Sequence, residues 1–390
     1  ARGKAKKKSD IDVMVEFTPS EGPPRAPFTQ PITIIRPPVI LVHGLWATPE
    51  EWNPFTPFVT NPLFAIFYAD YSDEVEIENT DPPLRLLDPD DETSSISGNA
   101  LGLAFNAPTV LENIQESLDD FRGGDNPLSQ VSNEKIPVAA AQADIVAHSL
   151  GGNITRTIAL DNRIVSDKTF GKSILHKLIA IGTPHLGSRV PAELLRVENA
   201  CIRQFLSDWE SLAAVRSVSK FISTGEVGDV LVEITGAVGD LDGGGIPGGR
   251  LSEALQGIRQ RDQAFALIPT AFVAGEMFPD QLDDVDCTVC VPAILRWVCE
   301  DDPLPQNLTS ARWPGIVGDV TDGIVTLQSQ LDGLPMPPEF VPHKAIHSKG
   351  TGSLGFGGPH LQEEASGTPV AVLRLLNTPV NSREYVLLPR

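Results

Sequence analysis

The sequence predicts an α/β fold: a mostly parallel, doubly wound sheet with helices on both faces and an inserted cap. Three observations carry that expectation. The continuous apolar run Val39-Ile-Leu-Val42 reads as a strand buried on both faces, which a parallel sheet requires, and Leu175-His-Lys-Leu-Ile-Ala-Ile181 reads as another strand. They alternate with amphipathic helical stretches, so the connections read as crossovers. Ala147-His-Ser-Leu-Gly-Gly152 then joins a strand to a helix through a turn that only small residues permit.

In chain order, residues 1–37 are expected to be an extended lead-in, and residues 38–390 the main domain. Ile11–Phe17 alternates like a strand, and the proline-rich Pro19–Pro38 follows it. The lead-in either lies across the main domain or ends a preceding module of a longer chain. After the apolar run at 39–42, Thr48-Pro-Glu-Glu-Trp52 has a helix-start pattern, with Thr48 as N-cap and Pro49 at the first helical position. Leu63–Asp70 reads as the next strand, and the acidic stretch Ser72–Ser97 as a solvated loop. Pro108–Phe121 places Val110, Leu111, Ile114, Leu118 and Phe121 on one helical face. Pro269–Gly275 is a further strand. A cap is expected at 188–267, and an insertion holding Cys287, Cys290 and Cys299 at 280–314. No internal repeat is visible.

The turn at Ser149 carries the chemistry. A strained strand-to-helix elbow holds the hydroxyl at the C-terminal edge of the sheet, where the helix N-terminus offers amide donors to an oxyanion. By itself such a serine is more often an ordinary loop residue. A serine nucleophile also needs a base, and the base an orienting acid. The order Ser149, Asp322, His347 supplies both. His347 lies 25 positions beyond Asp322, follows an apolar segment able to form the final strand, and precedes a small residue. His343 and His360 are its rivals. Asp319, Asp283 and Asp284 are rivals of Asp322, and Asp322-Gly323 alone is a turn signal. Structural roles are expected for Asp144 and His185, and a surface position for His176. His43 belongs to the first glycine motif, and His148 sits locked beside the serine.

Taken together, VHGLW at 42–46, AHSLGG at 147–152, GTPHLG at 182–187 and DGIV at 322–325 resemble the lipase/esterase branch of the α/β-hydrolase superfamily, similar to bacterial triacylglycerol lipases. The elbow departs from G-x-S-x-G in having Ala147 as its first small residue. The resemblance implies an α/β-hydrolase fold, Ser149 as nucleophile, Asp322 as the acid, and an oxyanion hole built from the backbone amides of Leu45 and Leu150. It implies a serine carboxylic-ester hydrolase with an acyl-enzyme intermediate and no cofactor or metal. A thioesterase, amidase, acyltransferase or polyester depolymerase shares this machinery. From a different class comes a hydrolase-like scaffold that binds an apolar ligand without turnover.

Charge and composition bound the partners. A net charge of -21 repels nucleic acid, although Arg2, Lys4, Lys6, Lys7 and Lys8 make the start locally basic. With 41% hydrophobic residues and no apolar run long enough to span a bilayer, the chain reads as globular. No signal peptide is read at its start. The expected partner is a small-molecule or lipid ester, with transient contact at a lipid interface. Cys287-x-x-Cys290 lacks a second ligand pair for zinc, so a disulfide-stapled loop in a secreted protein is the expectation, with reduced buried cysteines as the alternative.

Overall fold

Runs of β-branched and leucine side chains with no polar face pair into the middle of a sheet. In the computed structural model, which describes residues 8–15, 28–45, 47–78, 93–189, 236–245, 247–260, 264–276, 320–336, 340–345, 347, 361 and 364–388, the apolar runs do so. The strands are β1 (Lys8–Val15), β2 (Phe28–Ile35), β3 (Val39–Val42), β4 (Ile66–Ala69), β5 (Glu74–Glu78), β6 (Thr93–Ser97), β7 (Ala143–His148), β8 (Leu175–Ile181), β9 (Ile268–Val273) and β10 (Val386–Leu388). The helices are α1 (Thr56–Val59), α2 (Leu103–Gly123), α3 (Pro127–Ser132), α4 (Leu150–Ile158), α5 (Gly236–Asp240), α6 (Glu253–Ile258), α7 (Leu327–Gln330) and α8 (Thr368–Leu376).

The central sheet runs β4-β3-β7-β8-β9-β10, parallel throughout except for antiparallel β10 at its edge. From β3 the chain moves outward to β4, whereas from β7 it moves the other way to β8. The connections leaving β3 and β7 therefore diverge, opening a crevice above their adjacent C-terminal ends, Val42 and Ala147. Successive side chains of β3 face opposite layers. Ile40 and Val42 join Val110, Leu111 and Ile114 of α2 and Ile154 of α4 on one side. Val39 and Leu41 join Trp52, Phe55, Phe58, Val372 and Leu375 on the other. Full burial of one such side chain stabilises by about 1.5–3 kcal/mol, so β3 is anchored from both layers. The expected mostly parallel sheet with helices on both faces is thus present.

Several local expectations need correction. The stretch Ser72–Ser97 is not simply a loop, because Glu74–Glu78 pairs antiparallel with Thr93–Ser97. Its Glu-Val-Glu-Ile-Glu alternation has the period of a strand, and that outweighs its acidity. The segment before His347 forms no final strand. Phe340–Ala345 makes a single parallel bridge, Gly275 to His343, and the last strand is β10. Pro342 removes a ladder donor there. Helix α2 starts at Leu103, with Pro108 inside it. Thr48 precedes a 3-10 turn, Pro49–Trp52, without capping it, and its hydroxyl bonds the Glu50 carboxylate instead. His176 is the second residue of β8, and its side chain, 33% exposed, is paired, with Nδ1 2.6 Å from Asp144 Oδ1.

In the lead-in, β1 pairs with β2 antiparallel. Of the expected cap, 190–235 lies outside the described residues; α5 and α6 at its C-terminal end pack near α2 and α4. The cysteine insertion, all four cysteines, Trp46, His360, Asp283, Asp284 and Asp319 also lie outside them. Among the described residues no helix is long and apolar enough to cross a membrane.

Candidate active site

Ser149 stands between β7 and α4 with φ 51° and ψ -124°, a left-handed conformation that non-glycine residues seldom adopt. Two glycines permit the turn. A Cβ at Gly151 would lie 2.5 Å from the His43 carbonyl oxygen and 2.8 Å from that of Val42, and one at Gly152 would overlap the Thr183 side chain. Helix α4 therefore starts pressed against the ends of β3 and β8. The Ser149 N–H donates to the Ile181 carbonyl (2.9 Å), which ties the elbow to β8.

A serine at this position ordinarily caps its helix through its side chain. Ser149 does not cap, and its hydroxyl lies 2.8 Å from His347 Nε2. On the other edge of the ring, His347 Nδ1 donates to Asp322 Oδ2 at 2.8 Å. With Nδ1 protonated for that bond, Nε2 is an acceptor and the Ser149 O–H donates to it. Asp322 Oδ1 accepts the amides of Ile324 (3.1 Å) and Val325 (2.8 Å), and the Asp322 carbonyl accepts the His347 N–H (2.9 Å). Asp322 is fully buried, while Ser149 keeps 7% of its surface exposed.

The segment that follows β3 packs on the elbow at Gly44. A Cβ on Gly44 would lie 3.1 Å from Ser149 Cβ, so Leu45 follows directly on a contact with the serine. Leu150 is the first residue of α4, where helical N–H groups have no partner within the helix. His43 stacks on Tyr71 with centroids 4.0 Å apart, and the Tyr71 hydroxyl donates to the His43 carbonyl at 2.6 Å. Burial raises the Tyr71 phenol well above its ordinary range, so it remains a donor. Asn99 adds a bond from Nδ2 to the Ala47 carbonyl (2.7 Å).

The structure thus brings Ser149, His347 and Asp322 into one hydrogen-bonded chain, with Leu150 next after the serine and Leu45 next after Gly44, which packs on it. It turns His343 elsewhere, with Nδ1 donating to the Ser366 carbonyl at 2.9 Å. Asp144 lies within β7, at the end of the strand away from Ser149, beside His176 and Lys177, and His185 Nδ1 accepts from Arg156 Nη1 at 2.8 Å. Burial first, and Arg156 second, hold His185 well below the ordinary imidazole range.

Other residues of the surroundings escaped sequence reasoning. Gln330 clamps the acid loop to the end of β9. Its Oε1 accepts from the Gly275 N–H (2.8 Å), and its Nε2 donates to the carbonyls of Gly275 and Val325, both at 3.0 Å. Arg156 of α4 meets Asp332, just beyond α7, in a fully buried pair at 3.6 Å that Arg259 also joins. Glu51 lies 2.6 Å from the His148 ring. Only Arg156 left a local trace, as a cation at helical spacing from the apolar face of α4. Glu51 and Gln330 act across long sequence separations. Among the described residues, no group of three or more His, Cys, Asp or Glu side chains is arranged to hold a metal.

No protein-family model matches the chain, and no curated protein matches it in sequence. Among solved structures it is similar to Bacillus licheniformis lipase BlEst2 in mature form, at 14% identity and TM-score 0.36 over 93% of this chain and 98% of that one. Against the propeptide form of the same lipase the identity is 11% and the TM-score 0.39, and the chain spans about half of that structure, 52%. Phospholipase PlaB from Legionella pneumophila is similar at 12% identity and TM-score 0.45 over 89% of this chain and 61% of that one. At such identities and scores, function has to be read from the site.

Proposed function

We propose that the chain is a serine carboxylic-ester hydrolase of lipase or esterase type, working through an acyl-enzyme. The observation that carries this reading is the unbroken run of hydrogen bonds from Ser149 through His347 to Asp322, on an elbow whose serine is not spent on capping its helix. Ser149 Oγ attacks the ester carbonyl carbon while His347 Nε2 takes its proton. The charge that develops on the imidazole is met by the buried Asp322 carboxylate. The tetrahedral oxyanion accepts the amides of Leu45 and Leu150, each such donor being worth about 100- to 1000-fold in rate. The imidazolium returns its proton to the leaving alcohol. Water, activated by the same histidine, then releases the acid and restores the serine.

In this reading residues 188–267 form a cap that shapes the acyl pocket, the substrate is a small or lipid ester met in part at a lipid interface, and the protein works outside the cell. A fluorophosphonate probe should label Ser149, and nitrophenyl esters should be turned over by wild type and His343→Ala but not by Ser149→Ala or His347→Ala. Folded wild type that neither labels nor turns over would end the proposal. Activity retained in His347→Ala would move the base elsewhere, and activity confined to acetate esters would remove the lipase label.

A further inference from the structure

A second carboxylate–imidazole pair, its ring buried and its carboxylate partly exposed, adjoins the proposed machinery and takes no proton in it. Glu51 stands in the 3-10 turn that follows the proposed oxyanion segment, and His148 immediately precedes Ser149. The His148 ring lies between two oxygens, with Nδ1 2.6 Å from Glu51 Oε1 and Nε2 2.9 Å from the carbonyl of His347. The side chains are 1% and 12% exposed, and the rings of His148 and His347 are 5.0 Å apart. A Cβ on Gly44 would lie 3.0 Å from His148 Nδ1, so the oxyanion segment packs on the same ring.

We propose that Glu51, acting through His148, is a positioning residue for His347. The inference rests on the hydrolase reading above. A carbonyl oxygen only accepts, so His148 Nε2 must carry a proton to bond the main chain of His347. That dictates which way the ring faces. Its other nitrogen then faces Glu51 Oε1 at 2.6 Å, an ion-pair distance without hydrogen-bond geometry, and the contact holds the ring when a proton lies between the two atoms.

The base needs such a hold because no strand carries it. Phe340–Ala345 is irregular, and the described backbone of His347 is anchored by separate hydrogen bonds: its N–H to the Asp322 carbonyl and its carbonyl to His148. One carboxylate–imidazole pair thus joins the segments that carry the proposed oxyanion donor, nucleophile and base. An apolar pair of equal volume would hold these segments together as well, but without directing a hydrogen bond. Directional geometry is what a buried polar pair adds.

The test compares kcat and KM for nitrophenyl butyrate, the rate of fluorophosphonate labelling and the Tm across a small set of variants. Glu51→Ala should lower kcat and the labelling rate together by about 10- to 100-fold, the scale of a displaced reacting group, with KM within about twofold. Glu51→Gln should recover most of the loss, because its amide can donate to Nδ1 and leave Nε2–H for His347. His148→Leu should match Glu51→Ala, and the double variant should cost no more than either single one, as expected for groups acting as one unit. Should Glu51→Ala fail to fold, Glu51→Asp carries the test: the charge is kept and the reach shortened, so kcat should fall at least about fivefold.

Wild-type kcat in folded Glu51→Ala or Glu51→Asp overturns the proposal, as do additive losses in the double variant or a loss confined to KM. An inactive wild type would sink the hydrolase reading itself. An active wild type matched by an equally active Glu51→Ala sinks this inference alone.

Discussion

Replacing Asp322 by asparagine tests the proposed acid at a single atom. Asp322 Oδ1 accepts two backbone amides, from Ile324 and Val325, while Oδ2 faces His347 Nδ1. In Asp322→Asn the two N–H groups still need an acceptor, so the amide oxygen settles at the Oδ1 position. The opposite flip would leave both N–H groups facing an NH2, at about 1–3 kcal/mol for each unsatisfied buried group. The NH2 therefore faces His347 Nδ1, and two donors cannot share that contact. The imidazole responds by moving its proton to Nε2, where it can no longer accept from Ser149.

Amidating the acid of a serine hydrolase in this way lowers kcat by about 10⁴-fold, or about 5.5 kcal/mol of transition-state stabilisation. KM should stay within about twofold, since no group contacting the acyl chain is altered. The Tm should move by no more than about 4 °C, because the shape and both backbone bonds persist. Steady-state hydrolysis of nitrophenyl butyrate and a circular dichroism melt measure both quantities. Folded Asp322→Asn retaining more than about a tenth of wild-type kcat would refute the tautomer reasoning and move the acid to another carboxylate.

Further outcomes follow from the packing around the elbow. Asp332→Ala leaves Arg156 buried without its counter-charge and should cost about 3–5 kcal/mol in urea unfolding, whereas Arg156→Met with Asp332→Leu together should recover most of it; a cost under about 1 kcal/mol would mean the pair is solvated. Gly152→Ala should destabilise by about 1–3 kcal/mol, because its Cβ meets Thr183, and Thr183→Gly in the same chain should relieve the overlap. His185 has a lowered folded pKa, so the unfolded chain takes up a proton that the native one refuses. Stability from this residue is level above about pH 6.5 and falls as the pH drops below it, and His185→Gln should flatten urea midpoints between pH 7 and 5.

Much of the architecture is legible along the chain, because strands buried on both faces have no polar side to display. Val39–Val42 advertises itself as a continuous apolar run, and Ala143–His148 and Leu175–Ile181 as mostly apolar ones whose polar residues sit near their ends. The elbow is legible for a similar reason, since Gly151 marks where backbone must approach backbone and Gly152 where it must approach the Thr183 side chain. Boundaries and exceptions are less so. Glu74–Glu78 is acidic enough to pass for loop yet pairs with Thr93–Ser97, and the residues before His347 are apolar enough to pass for a strand yet are broken by proline. Helix α2 passes through Pro108 because packing of its apolar face outweighs one lost hydrogen bond.

By itself the sequence determined the layered α/β class, the order of the buried strands and the serine's place on a strained turn, since each follows from periodicity or from steric limits within a few residues. Tertiary structure alone decided which late histidine meets Ser149 and which groups hold it there. His343 and His347 differ by four positions, yet one turns to Ser366 and the other to Asp322. Glu51, Gln330 and the Arg156–Asp332 pair complete the surroundings across long loops. The reason is physical: a hydrogen bond selects its partner by distance and angle in three dimensions, and the packing of loops at the ends of the strands, not spacing along the chain, sets both.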